Sequence, residues 1–188
     1  MKNKNKINSN TNYLKTTVTT IILFCSLLSY QIASAASISE AELGDFLNQE
    51  RRSHNLNTLN YNYKLHTAAN AKADDMFSDN YFDHYAPDGT SPWYFINKAG
   101  YDYKSAGENL AIDFSTSKAV HDAWMASPLH RENILDKTYL DYAIVVKNGT
   151  IDGEYTTVIV EMFGKPSASA LVKTNQVIGL VLNYILGK

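Results

Sequence analysis

The chain has 188 residues, 45% of them hydrophobic and 19% charged, so it carries enough apolar mass for one packed domain and is too apolar to be a disordered polymer. Its formal net charge is −2, and no basic cluster exceeds Arg51-Arg52. A nucleic-acid binder needs a cationic surface that displaces counterions from phosphates, so that class is excluded.

Residues 1–35 read as a secretory signal peptide: a basic start with Lys2, Lys4, Lys6 and Lys15, an apolar run from Val18 to Leu28, and Ala33-Ser34-Ala35 as a small-x-small cleavage site. The apolar run is shorter than the roughly 20 residues that span a bilayer, so cleavage is expected rather than retention as an anchor. Cys25 lies in this segment, and the bulky Phe24 before it argues against lipoprotein processing. Without the segment, 13 bases face 19 acids, giving an acidic, cysteine-free mature protein of net charge −6 that no disulfide can stabilise. A secreted, extracellular or cell-envelope location follows as the expectation.

In chain order, Ser39-Glu40-Ala41-Glu42 has the spacing of a capping box and opens a helix running to about His54. Asn62 caps a second helix whose Leu65, Ala68, Ala69, Ala73, Met76 and Phe77 form a core stripe. Pro87-Asp88-Gly89 is a turn, and Ser91-Pro92 starts a short helix that Gly100 ends, which leaves His84 in a loop between helices. A short strand follows in Gly107–Ile112, then a helix over 116–126 containing Trp124. Ser127-Pro128 opens a further helix to about Leu135, with His130 in its first turn. Strands over 139–147 and 154–163 close the domain, joined through Asn148-Gly149 and Asp152-Gly153 turns. The expected fold is α+β, with helices flanking a small, largely antiparallel sheet. Residues 166–188 form an apolar tail whose core, Val177 to Leu186, is too short to span a bilayer; a helix packed on the domain is expected, and peripheral membrane contact or self-association is the alternative.

Three segments place polar residues in otherwise apolar patterns: Phe82-Asp83-His84 before the Pro-Asp-Gly turn, Gly107-Glu108-Asn109-Leu110, and the run from Trp124 to Leu135. Together with Asn48-Gln49-Glu50-Arg51, Leu59, Gly100-Tyr101 and Phe163-Gly164 they resemble the CAP superfamily, or SCP domains. That superfamily includes cysteine-rich secretory proteins, plant pathogenesis-related proteins, venom allergens and exported bacterial proteins. The resemblance covers about residues 40–165, with 37–165 taken as the domain. It implies a three-layer α-β-α sandwich with a cleft lined by two histidines and acidic residues, here His84, His130 and Glu108. Eukaryotic members usually carry a second Glu three residues after the tryptophan; Ser127 stands there, with Asp83 and Glu161 as the acids able to compensate.

Two imidazoles and a carboxylate match a catalytic zinc site in ligand type, so His84, His130 and Glu108 are candidate ligands for a divalent metal. The helix dipole at His130 favours its neutral form. The bland reading is that the three side chains hydrogen-bond one another and tie the sheet edge to two helices. Ser127 is expected to cap its helix through its hydroxyl rather than act as a nucleophile, and Asn109 and Asn133 to pin loops. His54, His66 and His121 are expected to be solvated and without polar companions. The functional expectation is a secreted binding or interaction module, more a binder than an enzyme, whose cleft, with Ser127 and Asn109 beside the three residues above, takes an extracellular lipid, polymer or protein. The alternative is a metal-dependent hydrolase or peptidase.

Overall fold

The computed structural model describes residues 38–186. The signal-peptide reading, including Cys25 and the Ala33–Ala35 cleavage site, lies outside them.

Helix α1 (Glu40–Ser53) begins as its capping residue dictates: Ser39 Oγ accepts from the Glu42 N–H at 3.4 Å. The box is not closed, because the Ser39 N–H donates instead to Ser117 Oγ at 2.9 Å. Asn62 caps α2 (Tyr63–Ser78), and Ser91 precedes α3 (Pro92–Lys98), beyond which Gly100 adopts φ +75°. Thr116 caps α4 (Ser117–Ala126), and α5 spans Pro128–Leu135. Ser127 holds the N-cap backbone position of α5, but its hydroxyl makes no capping bond, contrary to expectation.

Four strands, β1 (Asn60–Tyr61), β2 (Tyr103–Ile112), β3 (Asp141–Ile151) and β4 (Glu154–Pro166), form one sheet in the order β1-β3-β4-β2. β1 pairs parallel with β3 over two residues, and the other ladders are antiparallel. Only Asp152-Gly153, both at positive φ, turns the β3–β4 hairpin. Asn148-Gly149 is not a turn but lies inside β3, where a side chain at 149 would overlap the Phe77 ring. A glycine there is a packing requirement rather than a bend.

Two cores occupy the two faces of the sheet. Leu65, Ala69, Met76, Phe95, Val145 and Met162 fill the layer under α2 and α3; Leu43, Leu47, Val120, Trp124, Ile134 and Phe163 fill the layer under α1, α4 and α5. The result is an α-β-α sandwich. Side chains from α1 fasten distant segments: Asn48 exchanges two hydrogen bonds with the Leu59 backbone, and the buried Arg51 donates to the carbonyls of Asn57, Ile134 and Asp136. Tyr101, which donates to Asp141 Oδ2 at 2.8 Å, lies over Gly164 where any Cβ would collide with its ring.

The tail forms α6 (Ala168–Ile185), but it is not packed on the domain as expected. Leu180, Leu182, Tyr184 and Ile185 are exposed, and the bonds of residues 167 and 169 to Asp102 tie its start to the turn before β2. No helix among the described residues is long and apolar enough to cross a membrane.

Candidate functional site

The site grows from one edge strand. Along β2 successive side chains alternate between faces, so Glu108 turns toward the α2–α3 layer and Asn109 toward the α4–α5 layer. Both are buried. His84 reaches Glu108 from the loop between α2 and α3, its Nδ1 standing 2.7 Å from Glu108 Oε1. The pair is asymmetric: the Glu108 side chain is 1% exposed and the His84 side chain 46%, so the imidazole covers the carboxylate from the solvent side.

The loop that carries His84 is held from beneath by Lys72. This lysine is fully buried, and its ammonium donates to Tyr81 Oη and to the carbonyls of Asp83 and His84, each at 2.9 Å. All three donors are used, as a buried ammonium requires. Sequence reading missed Lys72, although its position within the Leu65–Met76 stripe was the signal: a charge on a buried helix face needs a polar cluster to receive it.

Electrostatics follow from this packing. Hydrogen bonding to Glu108 raises the His84 pKa. Burial raises that of Glu108, against the opposing pull of His84 and the Lys72 ammonium. Both directions favour a proton held at the His84–Glu108 contact. His130 is lowered first by burial and then by the charge of His84; the neutral form expected from the helix end is favoured for a different reason. His130 Nδ1 and Glu108 Oε2 are both buried without a hydrogen-bond partner.

An open cleft of about 330 Å³ lies at the pair. His84, Tyr85, Pro92 and Trp93 line it from the loop and α3, and Ala106, Gly107, Glu108 and Asn133 from β2 and α5. Of the five residues expected at a ligand, His84 and Glu108 line this cleft; His130, Ser127 and Asn109 do not. Tyr85, Trp93 and Asn133 are the additions that loop geometry, not sequence spacing, brings in.

Asn109 sits on the far face as a hub. Its Nδ2 donates to Glu161 Oε2 at 2.9 Å and to the His130 carbonyl at 3.2 Å, while its Oδ1 accepts from Asn133 Nδ2 at 2.9 Å. Asn133 Nδ2 also donates to the Glu108 carbonyl at 3.1 Å. These bonds seat the first turn of α5, and with it His130, against β2. Neither acid proposed to compensate for Ser127 reaches the cleft. Glu161 is completely buried on the Asn109 face, its carboxyl pushed up to about 8 by burial, and Asp83 Oδ1 accepts from the Tyr85 N–H within its own loop. His54, His66 and His121 each have a carboxylate neighbour, Glu50 at 3.2 Å, Glu40 at 3.4 Å and Glu50 at 3.7 Å; His121 is largely buried against Phe46, so the solvated reading does not hold for it.

The metal expectation has a geometric test. His84 Nδ1 and Glu108 Oε1 satisfy each other, and among the described residues no three His, Cys, Asp or Glu side chains converge as a metal would need.

A three-layer sandwich with a histidine-covered glutamate at its sheet edge defines the class of protein. The CAP family, described as the cysteine-rich secretory protein family, matches residues 45–161, and the chain belongs to it. It is 37% identical over 119 residues to the uncharacterized protein YkwD of Bacillus subtilis, and 28% identical over 108 residues to the uncharacterized membrane protein YlbC of the same organism. The aligned segments take up 63% and 57% of this chain but only 46% and 31% of those proteins. Among solved structures, an outer surface protein of Borrelia burgdorferi shares the fold at a TM-score of 0.59 and 24% identity, covering 68% of this chain and 92% of that one. An extracellular SCP-domain protein of Bacillus anthracis superposes at 0.57 with 25% identity, covering 67% and 40%.

Proposed function

We propose that this chain is an exported CAP-domain protein that acts as an extracellular binding module through the cleft at His84 and Glu108. One observation carries the reading. Glu108 is buried at 1% side-chain exposure, yet only Oε1 has a partner, so an acceptor is held ready beside an open cleft. A buried acceptor without a donor costs on the order of 1–3 kcal/mol, a cost a ligand carrying an N–H or O–H group would remove. Export agrees with the signal-like residues 1–35 and with the extracellular and outer-surface descriptions of the two structural relatives.

The test compares wild type with Glu108→Gln and His84→Ala in titrations with zinc chloride, phosphatidylglycerol vesicles, chitotetraose and a random heptapeptide library. The reading requires at least one class to perturb the NMR signals of the cleft-lining residues and to lose roughly tenfold in affinity in the Glu108 variant. Binding that ignores both substitutions, or no binding at all, removes the cleft from the function. Zinc binding that survives only with both residues intact would restore the metal reading and, with it, the hydrolase alternative.

The exposed apolar residues of α6 favour a second, separate contact, with a lipid surface or another copy of the chain. Vesicle co-sedimentation and sedimentation velocity of the full chain separate those two partners.

A further inference from the structure

The cleft follows the free edge of the sheet. β2 pairs with β4 on one side and, among the described residues, has no strand on the other. Just past its end, the Asp113 N–H donates to the Thr157 carbonyl of β4 at 3.1 Å. Backbone groups of consecutive strand residues point in opposite in-plane directions, so residues 107, 109 and 111 face β4 while 106, 108, 110 and 112 face outward. Two side chains confirm this phase, because Trp124 Nε1 donates to the Leu110 carbonyl at 3.0 Å and Asn133 Nδ2 to the Glu108 carbonyl at 3.1 Å.

Those two caps blunt the upper part of the edge, as exposed strands generally require. Below them the cap stops. The N–H and carbonyl of Ala106 and the N–H of Glu108 have no partner among the described residues. They fall within Ala106–Glu108, the stretch of β2 that lines the cleft, next to the unpartnered Glu108 Oε2.

We propose that the cleft binds an extended polypeptide segment, which adds to Ala106–Glu108 as a short fifth strand with an apolar side chain against Trp93 and Tyr85. This rests on the binding-module reading above and names its ligand class. In antiparallel addition, both Ala106 groups exchange bonds with one incoming residue, and the Glu108 N–H takes a carbonyl two residues along. The Glu108 carbonyl is already held by Asn133, which ends the ladder there. A donor on the incoming side chain or backbone then meets Glu108 Oε2. A lipid tail would leave this donor–acceptor–donor row unsatisfied, and a glycan has no repeat of matching groups at strand spacing.

The full chain is used to select from a displayed library of random heptapeptides, and the enriched peptides are synthesised with blocked ends. Binding is measured to wild type and to Ala106→Pro, which deletes one outward N–H at an edge position where proline is tolerated. A second set carries N-methyl groups on alternate peptide amides, so the result does not depend on the variant folding. The expected result is loss of roughly tenfold in affinity from Ala106→Pro and from N-methylation in one alternation phase but not the other, with the Ala106 and Glu108 amides protected from hydrogen exchange in the complex. No enriched peptide, or equal binding in both phases with no protection at those amides, overturns the strand proposal. Chitotetraose or vesicle binding lost in Glu108→Gln, with no peptide enriched, overturns the peptide and leaves the cleft reading standing.

Discussion

Glu108 and Asn109 are consecutive residues of one strand, both buried and both polar, and they lead opposite lives. Asn109 faces the α4–α5 layer, where its amide spends every group on Glu161, Asn133 and the His130 carbonyl. Glu108 faces the α2–α3 layer, where one oxygen is held by His84 and the other has no partner beside a cleft. A closed network specifies packing, and an incomplete one at an opening is where a ligand can contribute. Burial alone therefore does not separate a structural polar residue from a functional one; completeness of hydrogen bonding does.

The largest destabilisation that tests the comparison is that of Asn109→Ala, which strands Glu161, Asn133 and the His130 carbonyl in the core. It should cost about 3–5 kcal/mol in urea unfolding while leaving the His84 titration in place, and a loss under about 1 kcal/mol would show that the hub is not structural. Lys72→Met on the other side should cost about 2–4 kcal/mol and, unlike the first variant, loosen residues 79–91 to hydrogen exchange. Retained protection in that loop would remove Lys72 as the support of His84.

Glu161→Gln tests the closed face by pH. The folded pKa of Glu161, about 8, lies above the ordinary 4.5 of a free carboxyl, so the folded state binds the extra proton and the unfolded state releases it. Stability from this group is present below the unfolded pKa and is lost as pH rises through about 8. Glutamine, neutral at all pH and still able to accept from Asn109, should gain on wild type by roughly 4–5 kcal/mol between pH 4 and pH 9, with the gap closing as pH falls toward 5. Parallel stability profiles would contradict the buried neutral carboxyl.

Glu108→Gln should change stability by less than about 1 kcal/mol, since relief of carboxylate burial offsets the lost charge-assisted bond. It should bring the His84 pKa down toward the free-imidazole value, because that hydrogen bond is its main cause. An unmoved NMR titration of His84 would mean the pair is not coupled. Smallest of all, truncation after Pro166 should cost about 1 kcal/mol or less, because α6 exposes its apolar residues instead of burying them. A loss of several kcal/mol would place that helix in the core.

Local pattern was enough for the helices and their starts, because capping side chains, proline at the first turn and apolar stripes act within a few residues. Family resemblance brought His84 and Glu108 to one place. The same local signals misplaced Asn148-Gly149 as a turn, since only contact with Phe77, 72 positions away, explains that glycine.

What the amino-acid sequence determined by itself is therefore the helices, three of the four strands and the α+β class; the two-residue β1 and the buried Lys72 carried no local signal strong enough to mark them. Tertiary structure decided the partners. Alternation along β2 sent Glu108 and Asn109 to different layers, the sheet order left β2 at an edge, and Lys72, His84 and Glu108 met only because α2, its following loop and β2 pack together. Hydrogen bonds between residues tens of positions apart depend on how layers stack, and no short-range spacing encodes that.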